Sequence, residues 1–221
     1  MSDTPRRGRG SRAGLDLDII VAAARGISPE HLTMQAVADV LGVDRKALNH
    51  HVTDRDSLLE LLAIDAFRTR LESESVDLGE TWQDACRGFA RSTRDTIFAT
   101  GEWLPYFRFT SQRDLVVAAP AEVVAERMLA AGFDTETTSR AMHLLVTMCH
   151  GFARDAVTTA REGGHPQIEN LRQTFATSEE GYPSLRRLVE ARVDNFGAAQ
   201  FDFDVHSFLT AMEHLLAAPA R

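Results

Sequence analysis

The sequence predicts an all-α fold, with a small N-terminal unit of three helices built around a helix-turn-helix and a larger helical C-terminal unit. Three observations predict it. Apolar residues recur at helical spacing through most of the chain, and no run alternates with the period of two that marks a half-buried strand. Two short apolar-periodic segments meet at Gly42, as a helix-turn-helix requires. The chain of 221 residues, 44% apolar and 25% charged, has the composition of a soluble globular protein and the length for one large domain or two unequal ones.

Residues 1–14 are Ser, Gly, Arg and Pro with Arg6, Arg7, Arg9 and Arg12, and read as a disordered basic arm. No hydrophobic segment follows the arginines, so they do not read as a secretory signal. Ile20, Ala23 and Ala24 mark the first helix. The second begins near Thr33, a plausible N-cap, and turns Val37, Ala38 and Leu41 inward. Gly42 ends it, because glycine takes positive φ without steric cost. Asp44 then caps a third helix, expected over Asp44–Thr53, and Val43 with Leu48 forms a hydrophobic staple across its start. A linking helix, Asp56–Arg70, carries Leu58, Leu61, Leu62 and Ala66, with Asp65 at the edge of the stripe.

The larger unit opens with a helix over Trp82–Thr100, whose stripe is Trp82, Ala85, Cys86, Phe89, Ala90, Thr93 and Ile97. Glu122–Ala131 is a shorter helix stopped by Gly132. Glu136–Thr159 is a long helix broken by Gly163, Gly164 and Pro166. Residues 176–184 read as a loop, and Ser184–Phe196 and Phe203–Ala217 as the last two helices. The expected organisation is an arm over 1–14, a helix-turn-helix domain over 15–56, and a second domain over 57–221 that includes the linking helix.

On a helical wheel, Leu48 and Val52 share the buried side of the third helix. Lys46, Asn49, His50 and Thr53 lie opposite, with Arg45 on a flank. Such a face suits the DNA major groove: Asn pairs bidentately with adenine, and Lys donates to guanine or phosphate. Ordinary solvated side chains are the alternative for the wheel alone. Charge distribution bears on the choice. The net charge is −8, yet residues 1–56 hold eight basic and eight acidic side chains and the rest hold sixteen and twenty-four. An acidic body behind a neutral head with a basic arm steers nucleic acid toward the head.

The segment Val37-Ala38-x-x-Leu41-Gly42-Val43, followed by Leu48-x-x-His51-Val52-x-x-Arg55-x-x-Leu58-Leu59, resembles the DNA-binding region of the TetR family of repressors. Trp82-Gln83 and Phe201–Leu216 are similar to the second domain of its tetracycline-repressor branch. The resemblance implies a three-helix helix-turn-helix DNA-binding domain plus a helical ligand-binding and dimerisation domain. Contacts to a double-stranded DNA operator then fall on Gln35, Arg45, Lys46, Ala47, Asn49, His50, His51 and Arg55. Two departures stand out. The family usually carries an aromatic residue where this chain has Asn49, and the first helix with its loop is about one turn shorter here. The operator sequence therefore does not transfer.

The resemblance also implies a small-molecule effector. Phe89, Thr93, Trp103, Phe107, Met128, His143 and Met148 are the candidates to line its pocket, as apolar walls with a few polar anchors; a plain core is the alternative for each. Phe107 stands where the tetracycline repressor has a magnesium-holding histidine, and Phe89 where it has a polar amide, which points to a more apolar ligand. A homodimer is implied through Glu136–Thr159, with Met142, Leu145, Val146, Cys149, Phe152 and Ala156, and through Phe203–Ala217, with Val205, Phe208, Leu209, Met212, Leu215 and Leu216. Such a dimer presents its reading helices roughly 34–36 Å apart to a palindrome. A role of both helices in one monomer's core is the alternative.

Catalysis is disfavoured. Cys149 and His150 are adjacent on a helix, so their side chains diverge. His143 and His150 share a face without an acid at a spacing that would complete a metal set. Phosphate-loop, dinucleotide and zinc-protease motifs are missing, so neither cofactor nor metal is expected. The two cysteines, Cys86 and Cys149, have no metal or disulfide spacing and suit a reducing cytoplasm. No apolar run is long enough to cross a membrane. The sequence thus reads as a ligand-responsive regulator, most simply a repressor, with activation left open. A helical small-molecule-binding protein that has lost DNA reading is the alternative.

Overall fold

The computed structural model describes residues 15–73, 76–177 and 181–218, so the expected basic arm over 1–14 lies outside the described residues. Among the described residues every regular element is helical. The chain divides into two compact units. One is formed by the described residues up to Ala66 together with Glu102–Thr110, the other by Phe67–Gly101 and Ser111 onward.

The first unit holds α1 (Leu17–Ala24), α2 (Met34–Leu41), α3 (Arg45–Leu48) and the first part of α4 (Arg55–Ser73). Each start is capped by a short polar side chain. The Asp16 carboxylate accepts from the Ile19 N–H at 2.8 Å, and the Thr33 hydroxyl accepts from the Ala36 N–H at 3.0 Å. Asp54 precedes α4 and accepts the Ser57 N–H at 2.8 Å. That hydrogen bond holds the Asp54 carboxyl below the ordinary carboxylate range. Ile20, Ala24, Leu32, Val37, Ala38, Leu48, Val52, Leu58, Leu59 and Leu62 are buried together as its core. Leu58, Leu59 and Leu62 belong to that core, and the first compact unit extends along α4 to Ala66.

The second unit is built on α5 (Trp82–Thr100), α6 (Ala119–Ala130), α7 (Thr135–Glu162) and α10 (Ala198–Ala217). Helix α5 packs against α6, α7 and α10. The periodicity of α5 is realised: Trp82, Ala85, Cys86, Phe89, Ala90 and Ile97 are buried, while Thr93 is only half-buried. Trp82 meets Phe133 edge-on, with ring centroids 5.1 Å apart. Helix α7 has Leu145, Cys149 and Ala153 fully buried, and stops at Gly163, whose φ of 70° is left-handed.

Elements between α7 and α10 differ from expectation. Residues Pro166–Thr177 form a helix, α8, not among the expected elements; its Ile168, Leu171 and Phe175 recur at helical spacing and are half-buried. Helix α9 covers only Pro183–Glu190, because Arg192 turns left-handed at φ 49° and stops it well short of Phe196.

Candidate nucleic-acid interface and ligand-binding interior

The reading head is assembled by the turn between α2 and α3. Gly42 sits at φ 64° and ψ 33°, and the Val43 N–H reaches back to the Ala38 carbonyl at 3.0 Å, closing a Schellman motif. A residue with a Cβ is disfavoured there. Asp44 follows and accepts the Lys46 N–H at 2.8 Å. Leu48 is 0% exposed and Val52 2%, so both inward positions of the wheel are buried, and the half-buried Val43 packs against the same cluster. The α-helix itself is shorter than expected, Arg45–Leu48 in place of Asp44–Thr53. The Leu48 carbonyl accepts both the His51 and the Val52 N–H at 2.9 Å, so the chain leaves the helix in a tight turn while keeping Val52 inward.

Outward from these anchors, Arg45, Lys46, Asn49, His50 and His51 are exposed, and among the described residues their side chains make no hydrogen bond or ion pair. Ala47 is half-buried. Gln35, also exposed, donates to the Asp39 carboxylate at 2.7 Å along α2. A row of uncommitted polar side chains on α3 and the turn that follows it is a surface that can meet bases and phosphates.

Arg55 departs from its expected place in that row. Its Nε donates to the Leu32 carbonyl at 2.8 Å and its Nη2 to the Pro29 carbonyl at 2.7 Å. These carbonyls lie in the α1–α2 loop and have no helical partners, so the guanidinium fork is spent inside the unit. Arg55 is a positioning residue here. The sequence signal for it, an arginine at the start of the linking helix, is the same for either role.

Arg25 and Asp65 were missed as a pair. The Arg25 guanidinium meets the Asp65 carboxylate through two hydrogen bonds, at 2.7 and 2.9 Å, and the Asp65 side chain is 6% exposed. Asp65 is therefore an interior ion-pair member, not the edge of an apolar stripe.

The proposed effector residues separate into three groups. Phe89 and Met128 are core residues of the second unit, Met148 packs against that core, and Thr93 is half-buried. His143 is exposed on α7 and takes no part in the interior. Trp103 and Phe107 belong to the first unit: Trp103, 8% exposed, is part of its core and Phe107 packs against it. Both thus pack in the first unit, whereas the sequence reading places them with the second.

Sequence reading also passed over Thr96, 3% exposed on α5, whose hydroxyl has no hydrogen-bond partner among the described residues. Its carbonyl accepts the Thr100 hydroxyl at 2.6 Å. A buried hydroxyl left unpaired costs free energy that a polar group on a bound molecule would recover. One open cleft of this unit, of about 760 Å³, is lined mainly by charged side chains, Asp77, Asp84, Arg87, Arg91 and Asp95 among others.

Burial pushes the thiols of Cys86 and Cys149 up to about 12. Cys149 Sγ contacts the Ala90 carbonyl at 3.6 Å. A thiol so held is protonated at neutral pH and is a poor nucleophile. Among the described residues, no group of three His, Cys, Asp or Glu side chains is placed to hold a metal ion, and no helix is long and apolar enough to cross a membrane.

No protein-family model matches the sequence. Solved structures do. Apo ActR from Streptomyces coelicolor is 20% identical, with 93% of this chain and 100% of that chain covered at a TM-score of 0.71. This chain has the TetR fold. ActR from the same organism in complex with (S)-DNPA also matches, at 20% identity, 90% and 98% coverage and a TM-score of 0.65. A TetR variant from Acinetobacter baumannii AYE in complex with minocycline matches at 18% identity, 92% and 99% coverage and a TM-score of 0.60. The TetR fold accounts for both the helix-turn-helix head and the all-helical second unit.

Proposed function

We propose that this chain is a ligand-responsive DNA-binding transcriptional regulator. It acts as a repressor that binds a palindromic double-stranded operator as a homodimer and is released by an apolar small molecule. One observation carries the reading: Arg45, Lys46, Asn49, His50 and His51 stand exposed and unpaired on a turn whose inward residues, Leu48 and Val52, are buried. Lys46 and Arg45 supply phosphate contacts, and Asn49 supplies a base contact that carries sequence preference. Gln35 and Ala47 flank them.

The effector lies in the second unit against Phe89, Thr93, Met128 and Met148, with Thr96 as a polar anchor for one hydrogen-bonding group. The neighbours solved with (S)-DNPA and minocycline support a small-molecule role for this unit. Release follows from differential affinity: an effector that favours the conformer unable to seat both heads weakens DNA binding by that difference. Dimerisation uses outward residues of α7 and α10. Leu144 is 50% exposed, Phe203 64% and Leu215 54%, more apolar surface than these helices need for their own core.

The test is selection of DNA fragments from a random pool by the purified full chain. Enrichment of a two-fold symmetric sequence supports the regulator. No enrichment at low salt from a folded dimer replaces it with a small-molecule-binding protein that no longer reads DNA.

A further inference from the structure

The reading head carries little permanent positive charge. Residues 15–56 hold four basic side chains, Arg25, Arg45, Lys46 and Arg55, against seven acidic ones. Two of the four are spent within the unit, Arg25 on the Asp65 carboxylate and Arg55 on the Leu32 and Pro29 carbonyls. Arg45 and Lys46 are left as the exposed cations of this segment whose side chains make no hydrogen bond or ion pair among the described residues. Duplex DNA presents one negative charge per about 1.7 Å of its axis. Two uncommitted cations per head are few for a surface that meets it.

His50 and His51 stand beside them. They lie in the tight turn after α3, where the Leu48 carbonyl accepts the His51 N–H at 2.9 Å. Both imidazoles are exposed and bond to nothing among the described residues. His31, the third histidine of this segment, differs: its ring nitrogen lies 2.9 Å from the Ser28 hydroxyl. The other charged side chains on α3 and the elements bordering it are few. They are Asp44 at its cap, Arg45 and Lys46 on it, Asp39 on α2, and Asp54, Arg55 and Asp56 at the start of α4. Asp39, Asp44 and Asp54 each accept a hydrogen bond, from the Gln35 side chain, the Lys46 N–H and the Ser57 N–H. Carboxylates, ammonium and guanidinium groups keep their charge from about pH 6 to 8, whereas an imidazole changes its charge there.

We propose that His50 and His51 are proton-linked DNA contacts: the head takes up protons at both imidazoles as it closes on the phosphates, so that binding strengthens as pH falls. A phosphate close to an imidazole favours its charged form. By linkage the charged form favours the phosphate to the same degree. Protonation of both raises the uncommitted cations of each head from two to four. This rests on the reading of the first unit as the DNA-contacting one, and gives its two histidines a role that Arg45, Lys46 and Asn49 do not fill.

The test is titration of a random-sequence duplex, long enough for two heads, with the purified full chain at pH 6 and pH 8 over a range of salt. A random sequence suffices because phosphate contacts are sequence-independent. Affinity is expected to rise at least about tenfold from pH 8 to pH 6, and the salt slope to steepen by about two to four units per dimer, one for each added cation. His50→Gln with His51→Gln keeps polar side chains that take no proton, and should remove most of that pH dependence. His31→Gln should retain it. Calorimetry of the same binding in two buffers of different ionisation enthalpy counts the protons on the unaltered chain, with about one to four expected to be taken up per dimer. Binding without net proton uptake, equal pH dependence in the double variant, or its loss in His31→Gln overturns the linkage and leaves the regulator reading standing. A folded chain that binds no duplex at low salt at either pH overturns both.

Discussion

The guanidinium of Arg25, at the end of α1, closes on both carboxylate oxygens of Asp65, forty positions along the chain in α4. The two helices are thereby fixed by a bidentate, charge-assisted pair whose acid is nearly inaccessible and whose base is half exposed. Asp65→Ala and Asp65→Asn are both expected to destabilise the first unit by about 1.5–3 kcal/mol, since each removes the buried charged acceptor of the Arg25 guanidinium. Urea unfolding of the full chain, followed by a probe in the first unit, measures this. A midpoint shift for Ala without one for Asn would assign the effect to shape and not to charge.

Arg55 separates a structural role from a DNA-contacting one. Arg55→Lys keeps the positive charge but cannot serve the Leu32 and Pro29 carbonyls together. It should lower the stability of the first unit by about 1–2 kcal/mol and leave the salt dependence of DNA binding unchanged. Weaker DNA binding at unchanged stability would return Arg55 to the interface.

Lys46 and Asn49 should behave differently from Arg55 and from each other. Lys46→Ala is expected to weaken binding to all duplexes alike and to reduce the salt slope by about one unit per site. Asn49→Ala is expected to relax preference at one symmetric pair of positions at a cost of about 1–3 kcal/mol. Titrations over a range of salt, with a selected operator and a scrambled duplex, resolve the two.

The association surface is tested at residues that the monomer does not need. Leu145 is 0% exposed and Met212 6%, so a charge at either disrupts the core before it reports on assembly. Phe203→Glu with Leu215→Glu alters exposed positions of α10. The double variant should retain its helical content and sediment as a monomer; a folded dimer would move the interface elsewhere.

Burial also sets two responses to pH. His150 is held below its ordinary imidazole value by desolvation, so the unfolded chain binds its proton more readily than the folded one. Stability contributed by keeping His150 neutral is therefore present at high pH and declines as pH falls through about 6.5. His150→Gln should flatten that limb of the stability curve. Cys86 and Cys149, with thiols pushed up to about 12, should resist thiol reagents at pH 8 until the chain unfolds. Fast labelling of the native chain would contradict their burial.

What the sequence determined by itself is local. Thr33, Gly42 and Asp44 announce caps and a left-handed turn because their preferences reside in single residues, and Leu48 with Val52 marks the inward face through spacing alone. The α5 stripe is legible for the same reason, its apolar period matching one buried side. Tertiary structure decided what depends on distant partners. Asp65 interrupts an apolar stripe in the sequence and becomes a core residue only when Arg25 arrives to share its charge. Arg55 fits a DNA contact by position and is drawn inward to two loop carbonyls that have no other donor among the described residues. Trp103 sits in an aromatic stretch that suggests a pocket, and it completes a different core because that core has room for an indole. Helix α8 carries a short stripe, Ile168, Leu171 and Phe175, that is only half-buried, and the Gly163, Gly164 and Pro166 before it read as a break. Period and capping are properties of neighbours along the chain; burial and pairing are properties of neighbours in space.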